Sequence, residues 1–144
     1  MNNTNLRSEL EQNIEGEVRF DQYSKILYST DASLYQIEPV GVVIPKSESD
    51  VIITIKLADK YDVPIIPRGA GTSLGGQTVG HGIVIDFSKY MNTVIELNTE
   101  ENWVKVQPGV VLDELNAYLK EYDLMFAPDV ASGDRANIGG LIGN

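Results

Sequence analysis

Leu6, Leu10 and Ile14 recur at a spacing of four in a stretch that is otherwise polar. That spacing puts three apolar side chains on one helical face and predicts a short amphipathic helix over residues 5–14, capped by Thr4 or Asn5 and ended by Gly16. Residues 21–27 predict another turn or two of helix, followed by the turn-rich Tyr28-Ser29-Thr30-Asp31-Ala32-Ser33. The apolar run Gly41-Val42-Val43-Ile44, closed by Pro45, predicts the first strand. Ser47-Glu48-Ser49-Asp50 has the form of a capping box with Asp in place of Glu. It opens a helix whose Val51, Ile55, Ala58 and Tyr61 share a face and which ends near Asp62. Residues 63–67 predict a second strand. Strand, helix and strand in about 27 residues read as a parallel βαβ unit.

A glycine-rich stretch follows, and residues 82–86 predict a third strand. Residues 94–97 and 103–106 predict a hairpin around 98–102. Pro108-Gly109-Val110 then turns the chain into a helix with Leu112, Leu115, Leu119 and Tyr122 on one stripe. Parallel strands first and a hairpin later predict an α+β fold in two small layers.

Composition narrows the chemistry. The chain has 144 residues, enough for one domain with a real core, and its 42% hydrophobic and 22% charged residues are globular in kind. It has no cysteine, which excludes disulfides, a thiolate nucleophile and Cys-ligated metal within it. A net charge of −10 repels nucleic acid and anionic membrane as general partners. Any phosphate must therefore be gripped locally, by backbone amides and an arginine. The first residues are polar, and no run approaches the ~18 apolar residues of a membrane span. The expected address is the cytoplasm, free or peripheral to the inner face of the membrane. Ile138-Gly139-Gly140-Leu141-Ile142-Gly143-Asn144 reads as the middle of a buried element, so the chain is read as the N-terminal piece of something longer.

The candidate chemistry lies in Pro67-Arg68-Gly69-Ala70-Gly71-Thr72-Ser73-Leu74-Gly75-Gly76-Gln77, directly after the second strand. Glycine reaches positive φ and lets a ligand approach the backbone, so successive amides can converge on an anion. Thr72 and Ser73 add hydroxyl donors. The dinucleotide pattern G-x-G-x-x-G fails at Leu74 and lacks the following helix, and the P-loop pattern fails at Gln77, where its lysine belongs. An anion nest and a glycine-rich surface turn both remain open for the loop alone. Its place at the carboxyl end of a strand favours the nest.

Three ordered motifs, Pro67 to Ser73, Pro108-Gly109-Val110, and Pro128-Asp129-Val130-Ala131-Ser132 before Ile138-Gly139-Gly140, resemble the FAD-linked oxidases of the vanillyl-alcohol oxidase/p-cresol methylhydroxylase type. Within that superfamily the chain is most similar to the glycolate oxidase and D-lactate dehydrogenase branch. Arg19-Phe20-Asp21-Gln22-Tyr23-Ser24 and residues 28–33 further resemble large members that fuse this flavin part to a C-terminal iron–sulfur part. The resemblance covers residues 19–144. It implies a p-cresol methylhydroxylase-type FAD-binding domain, with residues 1–34 a helical lead-in and 35–144 the N-terminal part of that domain.

The resemblance also implies site roles. Residues 68–77 would wrap the FAD pyrophosphate, Pro108, Gly109, Pro128 and Asp129 would lie on the second and third contact stretches, and Ser132, Gly139, Gly140 and Asn144 would line the ribityl and isoalloxazine region. Members with covalent FAD have histidine where Thr72 stands, so the flavin is expected to be non-covalent. The implied reaction moves a hydride from the carbinol carbon of a 2-hydroxy acid to flavin N5, and electrons pass on to an acceptor protein, domain or quinone. A same-fold flavin reductase of the enolpyruvyl type, and a non-catalytic domain whose loop binds another anion, are the alternatives.

No acid–base constellation is visible, no catalytic residue and no metal ligand is nominated, and the chain alone is expected to be inactive. Arg68 is read either as a phosphate partner or as a salt bridge supporting the loop. His81, between two glycines, reads as a solvated turn residue, Asp86 as a turn or cap, and Trp103 as a packing residue. Glu96, Glu100 and Glu101 read as a solvated hairpin edge, and Asp113 and Glu114 as first-turn helix residues.

Overall fold

A computed structural model describes residues 3–143. α1 (Asn3–Asn13) buries Leu6 and Leu10, as their spacing predicts. It starts ahead of the expected cap, so Thr4 and Asn5 lie inside it: polar residues look alike in sequence whether they precede a helix or occupy its first turn. β1 (Glu17–Arg19) is unexpected. Three residues with charged ends are too short to show an alternation, and such residues suit an edge strand. α2 (Gln22–Leu27) is capped by Asp21, whose Oδ1 accepts the Ser24 amide at 2.9 Å.

β2 (Gly41–Ile44), β3 (Ile65–Arg68) and β4 (Ile83–Asp86) complete a sheet of order β1-β2-β4-β3. β4 lies between β2 and β3 and runs parallel to both, while β1 is antiparallel on the edge. The strands of the βαβ unit are therefore parallel but not adjacent. All of β2 and β4 is buried, which explains their continuous apolar runs. Val43, Ile83 and Ile85 pack with Leu6 and Leu10 on one face, and Val42, Ile44, Ile66 and Val84 face Tyr28 and Tyr90 on the other.

α3 (Glu48–Lys60) starts at Ser47, whose Oγ accepts the Asp50 amide at 3.2 Å. Asp50 does not complete the expected reciprocal box. Its carboxylate accepts the amides of Lys46 (2.8 Å) and Glu15 (3.0 Å), tying the start of α3 to the end of α1. The buried face runs through Asp50, Thr54 and Ala58, and Ile55 faces out, contrary to the apolar stripe expected. Polar residues can line this face because Thr54 Oγ1 donates to Asp50 O at 2.7 Å and Asp50 is fully bonded.

The second layer is the antiparallel hairpin β5 (Val94–Asn98) and β6 (Trp103–Val106), with α4 (Leu112–Leu119) and α5 (Ile138–Gly143). Val110, Leu112, Leu115, Leu119 and Ile138 form its core against Val94, Leu97, Val104 and Val106. Two expectations are corrected. Tyr122 is exposed because the helix tightens into a 3₁₀ turn at Lys120–Tyr122, which rotates it off the stripe. Trp103 is also exposed, its Nε1 donating to Glu101 at 2.8 Å, because it faces outward at the end of the hairpin. The apolar C-terminal run is buried only at its start: Ile138 is covered, whereas Ile142 is 71% exposed. Among the described residues no helix is long and apolar enough to cross a membrane.

Candidate functional site

The glycine loop leaves β3 at the carboxyl end of the parallel strands, where open α/β sheets bind ligands. Gly71 (φ 73°) and Gly76 (φ 80°) take the left-handed conformation. Among the described residues, no amide of 69–76 donates to a backbone acceptor. A turn built to close on itself would use those amides; these are left to a ligand or to water.

Three segments meet around a cavity of about 900 Å³. Pro67, Arg68, Gly69, Ala70, Gly71, Thr72, Ser73, Leu74, Gly75 and Gln77 line one side, and Pro108, Pro128, Ser132, Gly139 and Gly140 line the other. Most of the residues singled out in the sequence are thus brought together. Gly76, Gly109 and Asp129 are not on the wall. Gly76 packs on the Tyr35 ring, and Gly109 sits behind the wall with its amide on Met91 O at 2.8 Å. Asn144 lies outside the described residues.

Arg68 is half-buried under the loop. Its guanidinium stands 5.3 Å from the centre of the Tyr28 ring, and Nη1 donates to Thr78 O at 3.3 Å. Among the described residues it forms no ion pair, so the salt-bridge expectation is not met. Burial pushes its pKa down, opposed by the charges of Asp86 and Asp31. An arginine nevertheless keeps its proton. Among the described residues no carboxylate lies at ion-pair distance from it, which favours an anion above. Tyr28 Oη donates to Asp86 Oδ2 at 2.6 Å, and burial followed by that carboxylate raises the phenol's pKa. Asp86 also accepts the Ser88 amide at 2.8 Å, the turn role expected of it. His81 is exposed, with Nδ1 3.1 Å from Glu38 O.

Asn137 was not singled out in the sequence. It is 6% exposed and joins the segments: Nδ2 donates to Gly109 O at 2.7 Å, and the flanking amides of Ile138 and Gly139 donate to Val110 O and Pro108 O, both at 2.9 Å. Its Oδ1 has no hydrogen-bond partner among the described residues and packs against Gly69. The signal was an amide side chain inside the apolar run Ala136 to Ile142, where burial demands partners. Among the described residues no group of three or more His, Cys, Asp or Glu is placed to hold a metal ion.

The FAD binding domain family matches residues 39–144. D-2-hydroxyglutarate dehydrogenase of Escherichia coli (strain K12) is 42% identical over 142 residues, covering 96% of this chain and 14% of that protein. The mitochondrial D-lactate dehydrogenase (cytochrome) of Kluyveromyces lactis is 38% identical over 128 residues, 86% of this chain and 22% of that protein. The chain thus spans less than a quarter of the length of these relatives. The fold is that of p-cresol methylhydroxylase, whose substrate-bound crystal structure superposes with a TM-score of 0.75 at 18% identity over 92% of this chain and 28% of that one. The residues present fit FAD. Unclaimed amides and an unpaired arginine suit a diphosphate, and Gly140, where an added Cβ would meet nothing within 4 Å, leaves room for a flat ring.

Proposed function

We propose that this chain, which belongs to the FAD binding domain family, grips the FAD pyrophosphate and backs the flavin in an oxidoreductase that acts on a 2-hydroxy acid. The observation that carries this reading is the convergence of loop 67–77, Pro108 and the segment from Pro128 to Gly140 on one cavity, with no backbone acceptor among the described residues for the amides of 69–76. In this reading the loop 68–77 wraps the pyrophosphate with the amides of 69–76, and Arg68 offers its charge from below. Ser132, Gly139 and Gly140 face the ribityl chain and ring, the role that the resemblance also assigns to Asn144. Thr72 cannot form a histidyl link, so FAD is held non-covalently.

Bound FAD would supply the two-electron acceptor for the carbinol carbon of the substrate. The chain's own residues bind and orient; the catalytic base and substrate contacts are assigned to sequence beyond residue 144, as is any iron–sulfur part. The names of the relatives support hydroxy-acid oxidation over the enolpyruvyl-type reduction and over a non-catalytic anion-binding domain. The acceptor is a protein, a domain or a quinone, and the site of action the cytoplasm or the inner membrane face.

The full-length protein tests this. It is expected to carry flavin absorbance, to release that flavin into the supernatant on acid precipitation, and to bleach anaerobically with D-2-hydroxyglutarate, D-lactate or glycolate. A protein that neither retains nor takes up flavin overturns the reading. Flavin that pellets with the acid-denatured protein overturns the non-covalent part.

A further inference from the structure

Residues 28–35 precede the family match, which starts at residue 39, yet they hold the glycine loop from behind. Two adjacent residues pin it at both ends. The Ala32 amide donates to Gly71 O at 3.0 Å, and Asp31 Oδ2 accepts Thr78 Oγ1 at 3.0 Å. Between these points the Tyr35 ring stands against Gly76, where an added Cβ would lie 2.5 Å from Tyr35 Cδ2. The segment is closed on itself as well: Asp31 Oδ1 accepts the Ser33 amide at 2.8 Å, and Thr30 bridges Gln36.

This segment contributes little burial of its own. Tyr28 packs on the sheet, but Leu34 and Tyr35 are exposed, and none of residues 29–35 belongs to a hydrophobic core. Two of its hydrogen bonds go instead to the glycine loop, whose amides 69–76 have no backbone acceptor among the described residues. Such a loop binds an anion tightly only if the amides are already convergent, because ordering them at the moment of binding costs conformational entropy. We propose that Asp31 is a positioning residue for the pyrophosphate loop, acting through Thr78 and, by way of Ala32, through Gly71. This rests on the flavin reading above. It extends the FAD site into the lead-in, so that a domain cut at residue 35 removes part of the loop's support.

The test uses the full-length protein, with FAD removed and added back. Asp31→Ala and Thr78→Val are each expected to raise the FAD dissociation constant about tenfold, the size of one lost charge-assisted hydrogen bond. Asp31→Ala/Thr78→Val is expected to be no worse than the poorer single variant, because both remove the same bond. Thr78→Ser, which keeps the hydroxyl, is expected within about twofold of wild type. In the flavin-free protein, Thr78→Val should speed proteolytic cleavage within 69–78 while leaving the melting temperature unchanged. Wild-type affinity in both single variants, or fully additive losses in the double variant, overturns the proposal and leaves the flavin reading intact. A wild-type protein that takes up no FAD overturns both.

Discussion

The side-chain oxygen of Asn137 occupies the place where a Cβ on Gly69 would have to go, well inside 3.0 Å of it. The pair joins the two layers, because Asn137 also holds Gly109 O through Nδ2 at 2.7 Å. Gly69→Ala must therefore displace Asn137, breaking that bond and parting the cavity walls. The expected cost is about 2–3 kcal/mol, from overpacking and a stranded buried amide. Gly69→Ala/Asn137→Ala opens space for the methyl group and is expected to recover part of the flavin content lost by Gly69→Ala alone. Flavin-to-protein absorbance ratios of the purified full-length variants check both; a double variant worse than Gly69→Ala would separate the two residues.

Gly71 is constrained twice. Its φ of 73° disfavours any side chain, and an added Cβ would lie 2.5 Å from Nη2 of Arg68. Alanine there carries about 1–2 kcal/mol of backbone strain and pushes the guanidinium from its seat over Tyr28. A β-branched residue is worse on both counts. Gly71→Val is expected to purify with less than about a tenth of the wild-type flavin, as read from the visible spectrum. Full loading would put the anion nest elsewhere.

The legible features were those fixed by local chemistry. Strands β2 and β4 show as apolar runs because both faces are buried, and Ser47 precedes its helix with an unobstructed capping side chain. The glycine loop and the Pro108-Gly109 and Gly139 segments could be read as motifs because Gly71 and Gly76 need a positive φ and Gly109 and Gly139 a close approach. What stayed hidden depends on partners far along the chain. β1 exists only because β2 offers it an edge, β4 enters between β2 and β3 by topology, and Asp50 reaches Glu15 across 35 positions. Asn137 likewise gains its role from Gly109 and Gly69, neither of which its own neighbourhood announces.

Asp50 is 2% exposed, and its two oxygens accept the amides of Glu15 and Lys46. Asp50→Ala leaves two backbone donors without their acceptor at the junction of α1 and α3. The expected loss is about 2–4 kcal/mol, visible as a lower urea midpoint with an unchanged slope. Asp50→Asn keeps only one acceptor oxygen, so its midpoint should fall between those of wild type and Asp50→Ala.

Glu17 sets the acid limit of the edge strand. Lys89 and Tyr90 donate to one of its oxygens and Arg19 to the other, and these bonds, led by that of Lys89, lower its pKa from 4.5 to about 2. A carboxylate whose folded pKa is depressed adds stability above its unfolded value and loses it as pH falls toward the folded one. The window here runs from about 4.5 down to about 2. A shift of that size corresponds to about 3 kcal/mol, which partial exposure reduces to about 1–2 kcal/mol. Glu17→Gln is expected to lose that amount at neutral pH. Urea midpoints of the two proteins should then converge as the pH is lowered through the window. A gap that stays constant down to pH about 2 would mean that the bonds to β1 do not depend on its charge.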